Sequence, residues 1–324
     1  MTGRTALITG ALGQDGVVLA TRLAAQGERV IGLVRPERAE DAAPAGVDLL
    51  GIDLTDPAAI DAVVARTRPD LVFHVAAVHH ASEAPLAAAP EMWRAMTAVN
   101  FQATTHLIQA ILAHAPKARL VYTASSHMYR PSDADAGPEG RVIDEESPRD
   151  PVNWYGMTKH WSAEAIRFMR DRHGLHGSTA ILFNHESHRR PESFVSRKIT
   201  RAAARIARAG GETSECLHLR NIGALADWSC ADEVTDALLR MGEAAEPGDY
   251  VVGSGTLVPV RALAEAAFAA VGLDWTRHVT WDADRAGPAV RANPAKIAAR
   301  LGWTPRVPIT EVIRRMVVAD CAGL

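Results

Sequence analysis

Cysteine is scarce in this chain of 324 residues: Cys216, Cys230 and Cys321 are unevenly spaced and form no C-x-x-C pair. That argues against a disulfide framework and a structural zinc site, and predicts reduced thiols in a cytoplasmic protein. Long hydrophobic runs are missing as well. No stretch reaches the roughly 20 apolar residues that cross a bilayer, so no membrane association is expected. Met1 to Thr5 leads directly into a first apolar strand, which leaves no room for a signal peptide there. Neither sign of charge dominates: 35 Lys and Arg stand against 38 Asp and Glu, and the formal net charge of -3 gives no global attraction to nucleic acid or an anionic membrane. Internal repeats are absent, and Ala262 to Ala270 reads as a helix with an apolar face rather than as low complexity. What remains is ordinary globular usage, 48% hydrophobic and 23% charged, with length for one large domain and a smaller appendage.

The pattern along the chain alternates. Thr5 to Thr9 reads as a strand, a glycine turn follows, Val17 to Gln26 has helical periodicity, and Arg29 to Val34 supplies a second strand. Helix over Ala58 to Arg66, strand over Leu71 to Val75, a long helix over Glu91 to His114 and a strand over Arg119 to Ala124 continue it. This predicts an α/β fold with a Rossmann-type, doubly wound parallel sheet whose ligand sits at the carboxyl ends of the strands. Pro131 to Pro151, rich in Pro, Gly, Asp and Glu, reads as a surface loop beside the active-site mouth. From Phe183 the alternation fades, and Asp249 to Val252 looks like a returning strand. The expected division is a dinucleotide-binding domain over 1–182, with a returning segment near 229–255. A smaller C-terminal α/β substrate domain takes 183–228 and 256–324.

Two segments carry chemistry. In I-T-G-A-L-G-Q-D-G, Gly10, Gly13 and Gly16 permit a tight turn and a close backbone approach, with Gln14 and Asp15 opening a helix whose positive end suits a pyrophosphate. At the end of the second strand Arg35 stands where an acidic residue would accept from a ribose 2'-hydroxyl, which favours NADP and leaves NAD open. Asp53 and Leu54 fall where a strand would end beside the adenine, and Ala76 and Ala77 are small enough for backbone to pass a cofactor. The second segment is Y-G-M-T-K. A phenol has an ordinary pKa of about 10, and Lys159 lies on the same helical face as Tyr155, where its ammonium is expected to lower that value and position ribose hydroxyls. Ser125, at a strand end, completes a Ser, Tyr, Lys set able to move a proton on an alcohol or ketone.

With these residues in order, the whole chain resembles an extended short-chain dehydrogenase/reductase, and in particular the GDP-mannose 4,6-dehydratase family. The likeness is carried by A-L-I-T-G-A-L-G-Q-D-G, by F-N-H-E-S-H-R-R-P-E-S-F-V-S-R-K-I over Phe183 to Ile199, and by L-G-W-T-P-R-V. It implies oxidation of a sugar hydroxyl by bound cofactor, loss of water from the ketone and return of the hydride. It also implies that Asn184, Val195 and Lys198 contact a nucleotide sugar. Read from the residues alone, Arg189, Arg190, Arg197 and Lys198 form a basic patch suited to a diphosphate, or an ordinary solvated charged face. Departures are equally specific. The family's S-T-S-E-L-Y is A-S-S-H-M-Y here, so His127 stands in the slot of the glutamate that handles the elimination proton. As a base it would lose activity on protonation below neutrality. The family's K-R-D-W is L-A-D-W, so Ala226 replaces an arginine expected on the diphosphate, and Pro288 replaces a glutamate expected on the ribose. Arg220 or Arg285 is the candidate to compensate. The basic loop after the second strand is shortened to P-E-R-A-E-D-A-A-P-A-G, and a homodimer built from Phe101 to His114 and Lys159 to Arg172 is expected.

His79, His80, His127, His185 and His188 gather by sequence near the expected pocket, but their spacing matches no standard metal motif. No metal is expected; contacts to sugar hydroxyls, His79 among them, and core packing are preferred. The leading reading is an NADP-dependent dehydratase of a GDP-linked hexose, with His127 in the altered slot pointing to a non-standard sugar. A 4-keto sugar reductase or epimerase is the alternative, since Tyr155 and Lys159 suffice for it. A cofactor-sensing protein without turnover is the third.

Overall fold

The computed structural model describes residues 3–79, 89–211 and 215–323, so His80 lies outside the described residues. The strands are β1 (Thr5–Thr9), β2 (Arg29–Val34), β3 (Val47–Gly51), β4 (Leu71–His74), β5 (Arg119–Ser125), β6 (Arg141–Ile143), β7 (His176–Leu182), β8 (Asn184–Glu186), β9 (Leu217–Asn221), β10 (Leu225–Cys230), β11 (Asp249–Val252), β12 (Leu257–Pro259), β13 (Val279–Ala283) and β14 (Val290–Ala292). The helices are α1 (Gln14–Ala25), α2 (Pro57–Thr67), α3 (Ala89–Met96), α4 (Ala103–His114), α5 (Trp154–His173), α6 (Val195–Arg208), α7 (Ala231–Glu243), α8 (Val260–Ala269), α9 (Ala295–Leu301) and α10 (Ile309–Gly323).

Seven parallel strands form the main sheet in the order β11-β7-β5-β4-β1-β2-β3. The order reverses beside β1, which opens a crevice at the carboxyl ends of β1, β4 and β5. Helices cover both faces, so the strands are apolar on both sides. Leu7, Val72 and Leu120 point toward a cluster with Ile60, Leu107 and Ile166 of α2, α4 and α5. Their neighbours Ile8, Phe73 and Val121 point the other way, to Leu19, Leu238 and Met241 of α1 and α7. A third cluster joins Ile199, Trp228, Leu263, Phe268 and Ile313 of α6, β10, α8 and α10.

Two elements differ from the sequence expectation. The long helix expected over Glu91 to His114 is broken by a π-helical turn, Thr97–Gln102, which turns Asn100 into the core. There the Asn100 side chain holds Val78 from both sides, accepting from its N–H at 2.8 Å and donating to its carbonyl at 2.9 Å. Inside the expected loop over Pro131 to Pro151, β6 pairs in parallel with β14, too short a strand to show a period. Among the described residues no helix is long and apolar enough to cross a membrane.

Candidate active site

The chain leaves β1 through Gly10, whose φ of 70° lies in the left-handed region. A Cβ there would sit 2.9 Å from the Ala76 α-carbon, and one on Gly16 would sit 2.2 Å from the Gly10 carbonyl oxygen. Only glycine lets the first turn of the twelve-residue α1 close against the end of β1. Bare backbone at a helix N-terminus is what a dinucleotide's pyrophosphate requires, so the turn fits that group. Beneath it Thr9 Oγ1 accepts from the Ala76 N–H at 3.1 Å and pairs with His74 Nδ1 at 2.7 Å, and His74 Nε2 meets Thr104 Oγ1 at 3.0 Å. Burial pushes His74 down to about 3, so it is a neutral core histidine.

Tyr155 and Lys159 are set by the start of α5. Asn153 caps the helix, its Oδ1 accepting from the Gly156 N–H at 2.8 Å. A Cβ on Gly156 would lie 2.1 Å from the His127 carbonyl oxygen, so glycine allows the helix to rest on the turn after β5. Ser125 Oγ accepts from the His127 N–H at 3.2 Å, and the His127 carbonyl accepts from Val152 N–H at 3.0 Å. Lys159 is fully buried. Its Nζ donates to the Thr123 carbonyl at 2.7 Å and lies 4.8 Å from the Tyr122 ring centroid and 5.7 Å from that of Tyr155.

These groups form one end of a cavity of about 500 Å³. His79 and His127 flank the phenol, with ring centroids 4.7 and 5.6 Å from that of Tyr155 and 6.0 Å from each other. The Arg190 guanidinium packs 3.8 Å over the Phe194 ring, with Nε 3.5 Å from the buried Glu186 carboxylate. The opposite wall is apolar, made by Val195, Leu225, Ala226, Trp228 and Val260.

Burial sets the electrostatics. It pushes Tyr155 up to about 12, against Arg190 and the Ser125 hydrogen bond, which favour the phenolate. It brings Lys159 down to about 7, with Asp15 opposing. The downward pull on Tyr155 that the sequence assigned to Lys159 thus comes from Arg190 and Ser125. Burial, with Arg190, also holds His127 below its ordinary value. Asp15 pairs with His185 at 3.1 Å; despite burial, each favours the other's charge, lowering Asp15 and raising His185.

Of the residues singled out in the sequence, the cavity brings together Asp15, Ala77, His79, Ser125, His127, Tyr155, Lys159, Asn184, Arg190 and Val195. Gln14 joins α1 to the loop after β8, donating to the His185 carbonyl at 3.1 Å and accepting from Ser187 Oγ at 2.8 Å. Lys198, Arg220 and Arg285 are not among the residues lining the cavity. Arg285 lies on a loop tied to Asn221, and Pro288 bridges to Ala136. Arg35 is solvent-exposed beside Glu37, 3.2 Å away. Asp53 turns back on Thr55, accepting from its N–H and hydroxyl at 2.8 and 2.7 Å, and Leu54 packs on the core. Sequence reasoning missed Arg38, which lines a cleft beside the glycine turn with Leu12, Thr21 and Arg189 and pairs with Asp41 at 2.7 Å. It also missed Asn153, Phe194 and the Asp15–His185 pair; only the Asn at the head of Y-G-M-T-K carried a signal, as a helix cap. Among the described residues no three His, Cys, Asp or Glu groups are placed to hold a metal.

The model of the family described as GDP-mannose 4,6 dehydratase matches residues 7–316. The chain belongs to that family. It is therefore an extended short-chain dehydrogenase/reductase of the nucleotide-sugar dehydratase type. GDP-mannose 4,6 dehydratase 1 of Arabidopsis thaliana is 31% identical over 98% of this chain and 90% of its own length. GDP-mannose 4,6 dehydratase 2 of Caenorhabditis elegans is 28% identical, over 98% and 89%. Among solved structures, an epimerase-titled protein from Burkholderia cenocepacia superposes with a TM-score of 0.83 at 26% identity, covering 99% of this chain and all of its own. The protein titled RMD from Pseudomonas aeruginosa, solved with NADPH, gives 0.79 at 23% identity, over 99% and 100%, and shares the fold. Set against the GDP-mannose 4,6-dehydratase family pattern, Tyr155 and Lys159 are kept and Ser125 replaces a threonine. Of the changed positions, Ser125, His127 and Ala226 line the cavity and Pro288 does not.

Proposed function

We propose that this enzyme dehydrates a nucleotide-linked hexose, GDP-linked, using NADP that is regenerated in each cycle. The observation that carries the reading is the meeting of Ser125, Tyr155 and Lys159 at the end of β5, with only β4 between it and the strand that leads into a glycine turn built for a dinucleotide. Gly10, Gly13 and Gly16 with Gln14 and Asp15, Ala76, Ala77 and Lys159 would hold the cofactor, and Asp53 and Leu54 its adenine side. When bound, the nicotinamide supplies a hydride acceptor and, later, donor. Arg35, with Arg38 in the cleft beside the turn, supports NADP over NAD, because a guanidinium pairs with a 2'-phosphate.

Tyr155, as the phenolate that Arg190 and the Ser125 hydrogen bond favour against burial, takes the proton of the sugar hydroxyl while Ser125 hydrogen-bonds the same oxygen. The resulting ketone acidifies the adjacent C–H, and an imidazole of the pocket moves that proton to the departing hydroxyl. Asn184, Arg190 and Val195 bind the sugar nucleotide, with Lys198, Arg220 and Arg285 reaching toward its outer part. His127 in the glutamate slot supports a sugar that differs from that of GDP-mannose. A homodimer through α4 and α5 is the assembly this reading keeps.

The test is mass spectrometry of the protein incubated with GDP-mannose and related nucleotide hexoses, with and without added NADPH. A product lighter by one water, with no net NADPH use, is expected. A product heavier by two hydrogens, formed from a 4-keto sugar with matching NADPH loss, would make the enzyme a reductase.

A further inference from the structure

The Asn153 amide makes two hydrogen bonds with opposite ends. Its Oδ1 is committed to the Gly156 N–H as the cap of α5. Its Nδ2 is therefore the end that meets His127 Nδ1, at 3.1 Å. An amide NH₂ only donates, so Nδ1 holds the lone pair, and a neutral ring must carry its one proton on Nε2.

We infer that Asn153 fixes His127 as the Nε2–H tautomer, so that His127 donates a hydrogen bond to the reacting oxygen, and that His79 is the imidazole that carries the elimination proton. The chemical half of this rests on the dehydratase reading; the tautomer rests on hydrogen bonds alone. Three contacts hold the His127 backbone in place beside Asn153. The His127 N–H is bound to Ser125 Oγ, its carbonyl to Val152 N–H, and Gly156 is packed against that same carbonyl. The groups facing the ring are Asn153, the Tyr155 edge and His79, with Arg190 acting through its charge. Among the described residues none of these is an anion, and burial and Arg190 disfavour an imidazolium against the Asn153 hydrogen bond. A neutral imidazole donor of this kind stabilises negative charge developing on a ketone oxygen.

In the elimination, the bond between hydrogen and the carbon next to the ketone breaks, and the proton passes to the lone-pair nitrogen of His79. The electron pair of that bond forms the carbon–carbon double bond by way of an enolate whose oxygen accepts from His127 Nε2–H. The bond to the hydroxyl on the next carbon then breaks, and the departing oxygen takes the proton back from His79 and leaves as water. His79 ends as it began, and no other reagent is consumed.

The test uses the full-length protein labelled with ¹⁵N-histidine, with the His127 signals identified by their loss in His127→Gln. Wild type is expected to show Nδ1 unprotonated and Nε2 protonated through neutral pH. In Asn153→Asp the carboxylate keeps the helix cap but offers only acceptors, so the proton moves to Nδ1 and His127 titrates at higher pH. A protonated Nδ1 in the wild type overturns the inference. With GDP-mannose in D₂O, His79→Gln should lose turnover and deuterium incorporation together, by about a hundredfold or more. His127→Gln, which keeps a donor, should slow turnover by about tenfold while leaving deuterium incorporation in the product. The reverse pattern also overturns it. If the wild type turns over no nucleotide hexose, the dehydratase reading falls, and the nitrogen signals still decide the tautomer.

Discussion

The two ends of the cavity are built on opposite principles. At the β5 end, Ser125, Tyr155 and Lys159 are held in a buried setting that moves the titration of Tyr155 and Lys159 far from ordinary values. At the β10 end, Leu225 and Ala226 present apolar surface where the family pattern has lysine and arginine, beside a Trp228 that the pattern shares. The first end depends on position to within tenths of an ångström, because a proton must pass between fixed atoms. The second depends on what it contacts, so changing it alters which molecule binds while leaving the chemistry in place. The contrast is that this chain departs from its family pattern at Ala226 and His127, and keeps Tyr155 and Lys159.

The largest effect falls at the first end. Tyr155→Phe should lower turnover by about 10²- to 10⁴-fold with cofactor binding intact, measured as single-turnover ketone formation and by NADPH titration. Equal losses in turnover and cofactor affinity would break the comparison, by showing that the phenol serves mainly to pack. Next comes the second end. Ala226→Arg should tighten GDP-hexose binding by about ten- to a hundredfold, since a charge-assisted hydrogen bond contributes roughly 1.5 to 3 kcal/mol. Calorimetry showing no change would mean that this wall does not meet a diphosphate. A smaller effect separates two arginines outside the cavity. Arg38→Ala should reduce the preference for NADPH over NADH by about tenfold. Arg35→Ala should reduce it less, because that side chain is three-quarters exposed.

Much of this was legible in the sequence. Period and glycine spacing located β1, the turn, α1 and β2, because a buried parallel strand and an amphipathic helix each impose a pattern on neighbouring residues. The Ser125, Tyr155 and Lys159 set was legible for the same reason: its members lie at a strand end and one helical turn apart. The π-helical turn was not, since Asn100 turns inward to satisfy Val78, a partner from another element. Nor was the Asp15–His185 pair, whose members are 170 positions apart. Arg38 escaped because a 3₁₀ turn, Pro36–Arg38, redirects the chain just after β2, whereas the sequence argument stopped at Arg35. The tautomer of His127 was out of reach for a different reason. It is set by which end of one amide the helix backbone claims.

The smallest expected effect concerns the stability that each end contributes. Lys159 falls from an ordinary 10.5 to about 7 on folding, because burial disfavours its ammonium. Between those values the unfolded chain binds more protons than the folded one, so stability should rise with pH across that window. Below about 7 the lysine is protonated in both states and the cost of burying its charge is constant. One group contributes a slope of at most about 1.4 kcal/mol per pH unit. Lys159→Met removes it. Urea unfolding at pH 6.5 and pH 9 should therefore give a difference between the two pH values that is smaller in the variant than in the wild type. Ala226→Arg should leave that difference unchanged, since an arginine at the apolar wall stays protonated at both pH values. If the two variants alter the pH dependence alike, the buried charge of the catalytic end does not set it, and the contrast between the two ends fails at the level of stability.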